Sequence, residues 1–540
     1  MAGDIAALRT LGLSLQTAGP GIVLSRQLPP SGAALSRSAP SAPSAPRAPK
    51  APSAPSAQPN GEKPPKGDKK AEKAEKAAPP WRAPKGAKVA PAAADASLQR
   101  APARPVEPGR VLKAGVPVAQ QLEGEFFTCL SYNVLLPNSQ DGWWIYKYYR
   151  ELDSEAMAAW PARQALLREQ LLAAAPDFIC LQEVCELSFQ DDFAFLAGAG
   201  YEALLHEKKG RMRPATFWRA SRWELASAKH QDRVLVTALH RKGARPGASL
   251  FLANAHLSAG HNADRRLRQV QEALDAVAKE CKKLGLDSLA VPAVFCGDLN
   301  SQGRTAVREF LLRGEVGPDF RESGDPTEKG QDDVQITTKV RKHGLALFAD
   351  AAESTFGVDK TPPTILASNI DSKMLHDDGT PTKELLAAVG SAFDALCSAG
   401  QAQMSRQDVE SWLMKVNRAV GRGSEYRAAM ALFEKNGQEV LSREDFLSIY
   451  AAELAEGKYW GVEHDLKAMG GTGLAVPTEG PTELTFDHLF FTAGLLRLMG
   501  VQEPLTEQQR SRVYGEPWEV FPNVWHPSDH LPVLAAFALP

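Results

Sequence analysis

Short apolar runs of strand length, which recur between residues 126 and 539, constrain the fold of this chain more than any other feature. Runs rich in β-branched and aromatic residues and bounded by polar segments are typical of β-strands. Amphipathic helices separate some of them, as in residues 265–285, where Leu267, Val270 and Leu274 fall on one helical face. This alternation predicts an α/β fold. The runs are FFTCLSYNVL, FICLQEV, ATFWR, RVLVTALHR, SLFLANAHLS, AVFCGDLNS, LTFDHLFFT and HLPVLAAFAL.

Polar side chains stand within or at the end of most of these runs. A single Asp or Asn after a strand is ordinarily a turn residue. A whole set of them is better explained by one shared site, because the ligands of α/β proteins gather where sheet strands end. The set comprises Asn133, Glu183, His256, Asp298, Asn300, Asp487, Asp529 and His530.

These residue types suit the hydrolysis of phosphodiesters, whose transition state gathers negative charge on oxygen. We assign Glu183, with Asn133 and Asp529, to a bound Mg²⁺, which prefers carboxylate oxygens and keeps several waters; Mn²⁺ is the alternative ion. Asp298 is predicted to accept a proton from the attacking water. Asn300 is two residues further on, and therefore on the same face of an extended chain, so we expect it to donate its amide to a phosphate oxygen.

Two histidines complete the predicted site. His256 and His530 can donate hydrogen bonds to phosphate oxygens, and a protonated histidine among buried groups needs a carboxylate to hold its charge. Asp487 and Asp529 are both candidates for that carboxylate. We therefore expect the Asp–His pair before the last apolar run to serve the site, which would offset the cost of burying its charges.

The same segments resemble a known family. The motifs SYNVL, LQEV, NAHLS, GDLNS, FDHLFFT and PSDHLPVLAAF, in this order, are similar to those of the endonuclease/exonuclease/phosphatase superfamily with its DNase I-like fold. SYNVL, ATFWR and PSDHLPV most resemble the branch that contains carbon-catabolite-repressor-type deadenylases, nocturnin and the angel proteins. The resemblance covers about residues 125–360 and 470–540.

This resemblance implies a four-layer α/β sandwich of two facing sheets, dependence on Mg²⁺, and hydrolysis of phosphodiesters, often by 3′→5′ removal of RNA nucleotides. By matching motifs it assigns Glu183 as a metal ligand and Asp298 as the group that activates water. It also assigns Asn300 as a phosphate donor and Asp487 as the partner of His530.

The sequence identifies the type of reaction more closely than it identifies the substrate. Poly(A)-cleaving relatives have a Phe in an F-K-G stretch shortly before the Asp of the late strand, whereas this chain has Thr482 there, so a preference for poly(A) stays open. Aromatic rings can stack on bases. We assign this role to Trp143, Trp144, Tyr146 and Phe217, with packing in the core or in a lid as the alternative.

Residues 1–110 have a different composition from the rest of the chain. They consist largely of Ala, Pro, Ser and Lys, with too few large apolar groups to offset the entropy of ordering, so we expect a disordered tail. The stretch between Asp4 and Glu62 contains arginines and serines but no acidic residue. Organelle transit peptides share this composition, and so do low-complexity tails without a targeting role.

An insert at residues 361–469 is predicted to interrupt the enzyme domain, which then occupies 111–360 and 470–540. Helical periodicity and the N-cap candidates Ser405 and Ser442 indicate a small all-α unit.

The insert resembles a degenerate pair of EF-hands. The segments CSAGQAQMSRQD and EKNGQEVLSRED each place an apolar residue, Met404 or Leu441, at position eight and an Asp, Asp408 or Asp445, at position twelve. A calcium loop needs oxygen ligands at positions one, three and five, a Gly at six and a Glu at twelve. The first segment has Cys397 and Ala399 at positions one and three. The second has oxygen-bearing side chains at one, three and five but Glu439 at six, and both segments have Asp at twelve. We therefore assign no calcium ligand and expect a structural unit or one that binds a protein partner.

Three functions fit these observations. The first is a Mg²⁺-dependent phosphodiesterase, a deadenylase-like 3′–5′ exoribonuclease acting on RNA. The second is a phosphatase or phosphodiesterase for a small phosphorylated molecule, such as a dinucleotide, a 2′,5′-linked oligonucleotide or an inositol phosphate. The third is a calcium-responsive binding protein on an inactive nuclease scaffold. The net charge of -2 provides no overall basic field, so any contact with RNA is expected to be local.

The cysteines and the lengths of the apolar runs indicate the cellular compartment in which this protein is expected. The six cysteines are scattered and form no C-x-x-C pair, which suits reduced thiols inside a cell. No apolar run reaches the ~18 residues of a membrane-spanning helix. The sequence thus predicts an intracellular monomer that does not enter a membrane, in the cytoplasm or, if the N-terminus directs it, in an organelle.

Overall fold

The computed structural model describes residues 13–17, 22–26, 106–136, 159–207, 212–244, 249–322, 334–367, 370–372, 374–376, 380–398, 401–455, 458–477 and 480–539. The strands are β1 (Leu13–Thr17), β2 (Ile22–Arg26), β3 (Arg110–Leu112), β4 (Phe127–Asn133), β5 (Phe178–Cys185), β6 (Tyr201–Leu205), β7 (Met212–Arg219), β8 (Trp223–His230), β9 (Val234–Arg241), β10 (Ser249–His256), β11 (Ala293–Asp298), β12 (Glu315–Val316), β13 (Arg321–Glu322), β14 (Val334–Gln335), β15 (Arg341–Lys342), β16 (Phe348–Asp350), β17 (Ile365–Ala367), β18 (Ile370–Ser372), β19 (Met404–Ser405), β20 (Val440–Leu441), β21 (Ala475–Pro477), β22 (Thr482–Leu484), β23 (Asp487–Thr492), β24 (Arg497–Gln502) and β25 (Val533–Ala538).

Helices lie between many of these strands, and a short 3₁₀ turn covers Val358–Lys360. The helices are α1 (Val118–Gln121), α2 (Trp160–Ala174), α3 (Phe189–Gly198), α4 (Ala263–Leu284), α5 (Ala306–Arg313), α6 (Ala351–Phe356), α7 (Lys383–Leu396), α8 (Arg406–Asn417), α9 (Ser424–Asn436), α10 (Arg443–Ala455), α11 (Tyr459–Ala468) and α12 (Glu507–Val513).

Two large sheets form the body of the protein. One has seven strands in the order β3-β24-β25-β4-β5-β7-β6, and the other has six in the order β16-β23-β11-β10-β9-β8. Each contains one central parallel pair, β4 with β5 and β10 with β11, flanked by antiparallel neighbours. Because paired parallel strands end on the same side, the carboxyl ends of β4 and β5 meet at one edge, and those of β10 and β11 meet at the corresponding edge of their own sheet.

The two sheets face each other across an apolar layer, and helices cover their outer faces. Phe127, Phe178 and Trp223 lie in the layer between the sheets. Helices α4 and α5 pack on the six-stranded sheet, while α2 and α3 pack on the seven-stranded one. Every residue of β10 is buried, and all of β5 except Glu183 is buried, which explains why these strands read as nearly continuous apolar runs. The predicted four-layer α/β sandwich is confirmed.

Two strands are described in the N-terminal segment that the sequence predicts to be disordered. Strands β1 and β2 pair as a two-stranded sheet. LSLQT alternates apolar and polar residues and IVLSR begins with three apolar ones, so both sequences are compatible with strands. The rest of the tail predicted to be disordered, up to residue 105, lies outside the described residues.

The insert has a core of its own, drawn from residues 374–469. Helices α7 to α11 enclose it, and the rings of Trp412, Phe446 and Tyr450 pack edge to face at its centre. Strands β19 and β20 pair Met404 with Leu441, the two apolar residues at position eight of the EF-hand-like segments. The resemblance to EF-hands itself stays a prediction.

Ca²⁺ titrated into the full chain is expected to produce no saturable micromolar binding and no change in helix content. At position twelve of each segment the carboxylate already caps the start of a helix. Asp408 accepts from the N–H and Oγ of Ser405 at 2.8 Å each, and Asp445 accepts from the N–H and Oγ of Ser442. Calorimetry measures the binding. Micromolar binding that disappears in Asp445→Ala would contradict this prediction.

The insert is joined to the body by paired strands. β17 pairs with β22 and β18 with β21, so the outgoing and returning chains run side by side. At the base, Thr364 accepts hydrogen bonds through its Oγ1 from the N–H groups of Phe486 and Asp487. Its carbonyl accepts from the N–H of Leu531 at 2.7 Å. The connection therefore ends directly beside the strand and the loop that carry Asp487 and His530.

Among the described helices, none combines the length and the apolar character that crossing a membrane requires. All six cysteines are free thiols.

Candidate active site

The polar side chains predicted from the sequence meet where strands of the two sheets end. Asn133 closes β4 and Glu183 lies near the end of β5, both in the seven-stranded sheet. His256 closes β10 and Asp298 closes β11, and the two are register partners in the six-stranded sheet. The parallel pairs of the two sheets thus bring the four side chains together.

Asp487 and His530 lie at the same place. Asp487 comes from an antiparallel strand and His530 from the loop before another one. Asp487 is the first residue of β23 and pairs in register with Asp298. His530 lies in the loop before β25 and forms an isolated bridge with Ile365.

Asn133 links two carboxylates that come from opposite sheets. Its Nδ2 donates to Asp298 Oδ2 over 3.0 Å and to Glu183 Oε1 over 3.3 Å. The second oxygen of Glu183 accepts from the N–H of Leu136 over 3.1 Å. Burial raises the pKa of Glu183, and the nearby charge of Asp529 raises it further.

Asp298 is held by the residues that follow it. Its Oδ1 accepts from the N–H of Asn300 over 2.7 Å. The amide of Asn300 donates to Asp298 Oδ2 over 3.3 Å and to the carbonyl of Leu257 over 3.0 Å. Burial raises the pKa of Asp298, although His530 opposes the shift. In this conformation Asn300 orients Asp298, and its predicted role as a phosphate donor requires its amide to turn.

His256 lies between the two carboxylates. Its Nε2 is 3.7 Å from Glu183 Oε1 and 3.6 Å from Asp298 Oδ2. Burial lowers the pKa of His256, which favours the neutral imidazole. Its buried Nδ1 has no hydrogen-bond partner.

His530 forms the charged pair of the site with Asp487. Its Nδ1 donates to Asp487 Oδ2 over 2.7 Å, and its Nε2 lies 3.9 Å from Asp298 Oδ2. Burial opposes a charge on His530, but Asp487 and Asp529 outweigh it and hold the pKa of His530 well above its usual value. Of the two carboxylates proposed from the sequence as its partner, Asp487 is the one that accepts from the ring.

The site offers the donors that a hard divalent cation needs. The carboxylates of Glu183 and Asp298 both accept from the amide of Asn133, and Asp529 is close enough to Glu183 to raise its pKa. Burial raises the pKa of both carboxyl groups, and a divalent cation would oppose that rise together with the charge on His530. The buried Oδ1 of Asp487 has no hydrogen-bond partner. These residues therefore fit a hard divalent cation, and the roles of Glu183, Asn133 and Asp529 as its ligands stay predictions.

A tighter group of metal-ligating atoms lies elsewhere in the described part of the chain. The sulfurs of Cys129, Cys180 and Cys296 are within 4.8 Å of one another, all fully buried in the apolar layer between the sheets. These thiols belong to the core and do not reach the site.

One substrate-binding prediction is wrong. Phe217 is only 2% exposed and packs against the rings of Phe189 and Phe193, 5.7 and 5.8 Å away. Its side chain points from β7 toward the outer helical layer, because apolar contacts with α3 bury it there. The predicted roles of Trp143, Trp144 and Tyr146 lie outside the described residues.

Sequence reasoning missed Arg163, a buried residue of α2. Its guanidinium donates to the carbonyls of Leu135 and Leu136 over 2.7 and 2.9 Å, directly after Asn133 in the chain. It also donates to the carbonyl of Pro527 over 2.8 Å. Arg163 therefore ties the loop after β4 to the loop that carries His530. No sequence signal separates it from an ordinary helical arginine.

Two further residues of the C-terminal loop support the site. Ser528 donates to the carbonyl of Asn133 over 2.6 Å and accepts from the N–H of His530 over 3.2 Å. His526 donates from Nε2 to the carbonyl of His530 over 2.8 Å, and its Nδ1 accepts from Gln170 over 3.2 Å. Ser528 stands in the PSDH motif and could have been identified there.

Stability is expected to fall as the pH drops from 6.5 toward 4 because of His526. Burial lowers the pKa of His526 from 6.5 to about 4. Between these values the unfolded chain binds a proton that the folded protein does not, so the contribution is present above pH 6.5 and lost on acidification, about 3 kcal/mol in all. Urea unfolding at pH 7 and pH 4.5 measures it. His526→Gln should flatten the dependence by that amount, and parallel pH profiles would contradict the prediction.

A profile described as the Endonuclease/Exonuclease/phosphatase family matches residues 130–530. The chain is 30% identical over 215 residues to carbon catabolite repressor protein 4 homolog 3 of Arabidopsis thaliana, covering 37% of this chain and 45% of that protein. It is 25% identical over 272 residues to the CCR4-Not complex 3′-5′-exoribonuclease subunit Ccr4 of Saccharomyces cerevisiae, covering 43% and 31%. The matches thus span less than half the length of these relatives.

Solved structures with similar folds include ANGEL2, a 2′,3′-cyclic phosphatase, with 16% identity, a TM-score of 0.45, and coverage of 76% of this chain and 95% of that one. The catalytic domain of human nocturnin has 13% identity, a TM-score of 0.37, and coverage of 77% and 94%.

Proposed function

Because the chain belongs to the endonuclease/exonuclease/phosphatase family, we propose that it is a Mg²⁺-dependent phosphodiesterase that removes nucleotides from the 3′ end of RNA, as a deadenylase does. The observation that carries this proposal is the meeting of Glu183, Asn133 and Asp298 with the His530–Asp487 pair at the ends of both sheets. The names of the curated relatives, among them a 3′-5′-exoribonuclease subunit, support the direction and the substrate class.

Glu183, with Asn133 and Asp529, would hold the metal. When bound, Mg²⁺ polarises a phosphoryl oxygen and offsets the charge that develops on it. The raised pKa of Glu183 reflects a buried carboxyl group for which such a cation would restore the charged form.

Asp298 takes the proton of the attacking water in this mechanism. The N–H of Asn300 fixes Oδ1 of the carboxylate, and the side-chain amides of Asn133 and Asn300 hold Oδ2. The oxygen of water forms a bond to phosphorus as its proton passes to Asp298. The bond from phosphorus to the 3′ oxygen of the remaining RNA breaks, and that oxygen takes up a proton from solvent water. Proton transfer of this kind contributes typically about 10²–10⁴-fold to the rate.

His530 stabilises the charge that develops on phosphate oxygen. Asp487 keeps it protonated through the 2.7 Å hydrogen bond at Nδ1, and this leaves the Nε2–H, on the side of Asp298, as a donor. A charge-assisted donor in a buried site is stronger than a neutral one. His256, whose lowered pKa favours the neutral ring, would add a second donor through Nε2.

A panel of substrates tests the proposal. The purified full chain is incubated with Mg²⁺ and with 5′-labelled RNA that ends in poly(A), the same RNA with a mixed 3′ end, and DNA of equal length. We expect a ladder that shortens from the 3′ end of RNA, that EDTA abolishes, and that a 3′-phosphate on the RNA blocks. Products of internal cleavage would replace the exonuclease proposal with an endonuclease.

The panel also contains the alternative substrates. A phosphorylated dinucleotide, a 2′,5′-linked oligonucleotide and an inositol phosphate are assayed under the same conditions. Turnover of one of these with no shortening of RNA would favour the small-molecule function. No turnover of any member, with Mg²⁺ or Mn²⁺, would contradict a hydrolase.

A further inference from the structure

The strand that carries Glu183 is irregular at that residue. Pairing between β5 and β7 runs as far as Leu181 with Ala215 and resumes at Val184 with Arg213, so two residues of β5 oppose one of β7. Glu183 has a positive φ of 59°, which is uncommon for a residue with a side chain. This is a β-bulge, and a bulge beside a site re-aims a side chain. The carboxylate of Glu183 reaches the site because the strand departs from regular geometry here.

Asn254, from the opposite sheet, fills the hydrogen-bonding positions at this bulge. It lies on β10 and is fully buried. Its Nδ2 donates to the carbonyl of Ala215 over 2.9 Å and to that of Leu181 over 3.1 Å. These two carbonyls belong to the last register pair before the interruption. One side-chain amide therefore satisfies acceptors on both strands of the interrupted ladder.

The amide oxygen of Asn254 holds the bulge from its other side. Gln182, the residue directly before Glu183, donates from Nε2 to Asn254 Oδ1 over 2.8 Å. The same Nε2 is 3.2 Å from Ser131 Oγ in the neighbouring strand. All of these side chains are fully buried, so no water replaces a lost hydrogen bond without rearrangement.

Asn254 also relates the bulge to the rest of the site. It precedes His256 by two residues on the same strand, so the two side chains lie on one face of the sheet. Two contacts join β10 to β5 across the space between the sheets. His256 Nε2 is 3.7 Å from Glu183 Oε1, and Asn254 Oδ1 accepts from Gln182. The position of one sheet relative to the other is thus fixed one layer below the site.

We infer that Asn254 is the positioning residue for Glu183: its amide holds the bulge that directs the carboxylate to the metal. This inference rests on the proposed function, because it assigns Glu183 to a divalent cation. Without the amide, the carbonyls of Leu181 and Ala215 would lose this donor and Gln182 would lose its shortest hydrogen bond, so the bulge would rearrange to satisfy them.

Binding of Mg²⁺ tests the inference without any substrate. Calorimetry on the full chain is compared for the natural sequence, Asn254→Leu, and Thr237→Val. Thr237 is a matched control, because it is fully buried on the adjacent strand β9 and its hydroxyl lies 3.5 Å from the carbonyl of Leu252, away from the bulge. Circular dichroism and a cooperative unfolding transition establish that each variant is folded.

We expect Asn254→Leu to raise the Kd for Mg²⁺ by about 10–100-fold, the range typical of residues that support metal ligands. Thr237→Val should leave the Kd within about 2-fold. The double variant Gln182→Met with Asn254→Leu should not recover affinity, because the carbonyls of Leu181 and Ala215 still lack this donor.

Other outcomes separate the two proposals. A Kd for Asn254→Leu within 2-fold of the natural value, in a folded protein, would overturn the inference and leave the proposed function standing. Recovery in the double variant would also overturn it, because Asn254 would then act only through Gln182. Absence of Mg²⁺ binding by the natural chain would overturn the proposed function together with the inference. If Asn254→Leu does not fold, Asn254→Thr keeps one donor and is judged by the same limits.

Discussion

Asp298→Asn is expected to reduce hydrolysis by about 10²–10⁴-fold while the protein stays folded. The substitution keeps the shape of the side chain and removes the oxygen that can accept a proton from water. The effect should fall on kcat, because Asp298 acts on the attacking water and not on the bound substrate in the ground state. Steady-state kinetics on the substrate identified by the panel measures it.

Asp319→Asn is the matched control for this experiment. Asp319 is exposed on the surface, so the same chemical change there should leave kcat and KM unchanged. A kcat for Asp298→Asn within 3-fold of the natural value would show that another group accepts the proton.

Arg163→Met is expected to destabilise the protein by at least about 3 kcal/mol, because it leaves several buried carbonyls without donors and each costs about 1–3 kcal/mol. The carbonyls of Leu135, Leu136 and Pro527 are the acceptors that lose the shortest of these hydrogen bonds. Methionine retains much of the apolar stem, so packing is largely preserved. Urea unfolding measures the loss.

Arg168→Met provides the comparison on the same helix, because Arg168 is exposed and its replacement should change stability by no more than about 0.5 kcal/mol. Loss of Arg163 should also lower kcat in the fraction that stays folded, since the loops after Asn133 and before Ser528 are no longer tied together. An equal stability change in both variants would contradict the role given to Arg163.

The site was accessible from the sequence because its residues follow apolar runs. Asn133, His256 and Asp298 each close a strand, and the ends of central strands lie together in α/β proteins. The residue types alone left two carboxylates, Asp487 and Asp529, as candidate partners of His530. The family resemblance then indicated Asp487.

The residues that support the site could not be predicted from the sequence in the same way. Asn254 lies inside the NAHLS motif, yet nothing in a single sequence shows that its amide crosses to the opposite sheet. Phe217 was misplaced for a related reason, because alternation along a strand does not say which of two faces is covered by a helix. Contacts between elements far apart in the chain decide both cases.

The pairing of β17 with β22 at the base of the insert determines how the body tolerates changes in the length of the insert. The chain leaves the body at Ala367 and returns to it at Thr482. These two residues are register partners in β17 and β22. The two ends are therefore fixed at the spacing of adjacent strands, whatever lies between them. Lengthening a closed loop costs little, about 0.6 kcal/mol for each doubling, so a segment with its own core can be exchanged, enlarged or replaced by a tight turn at small cost to the body. The stability of the body is thus expected to depend little on the length of the insert.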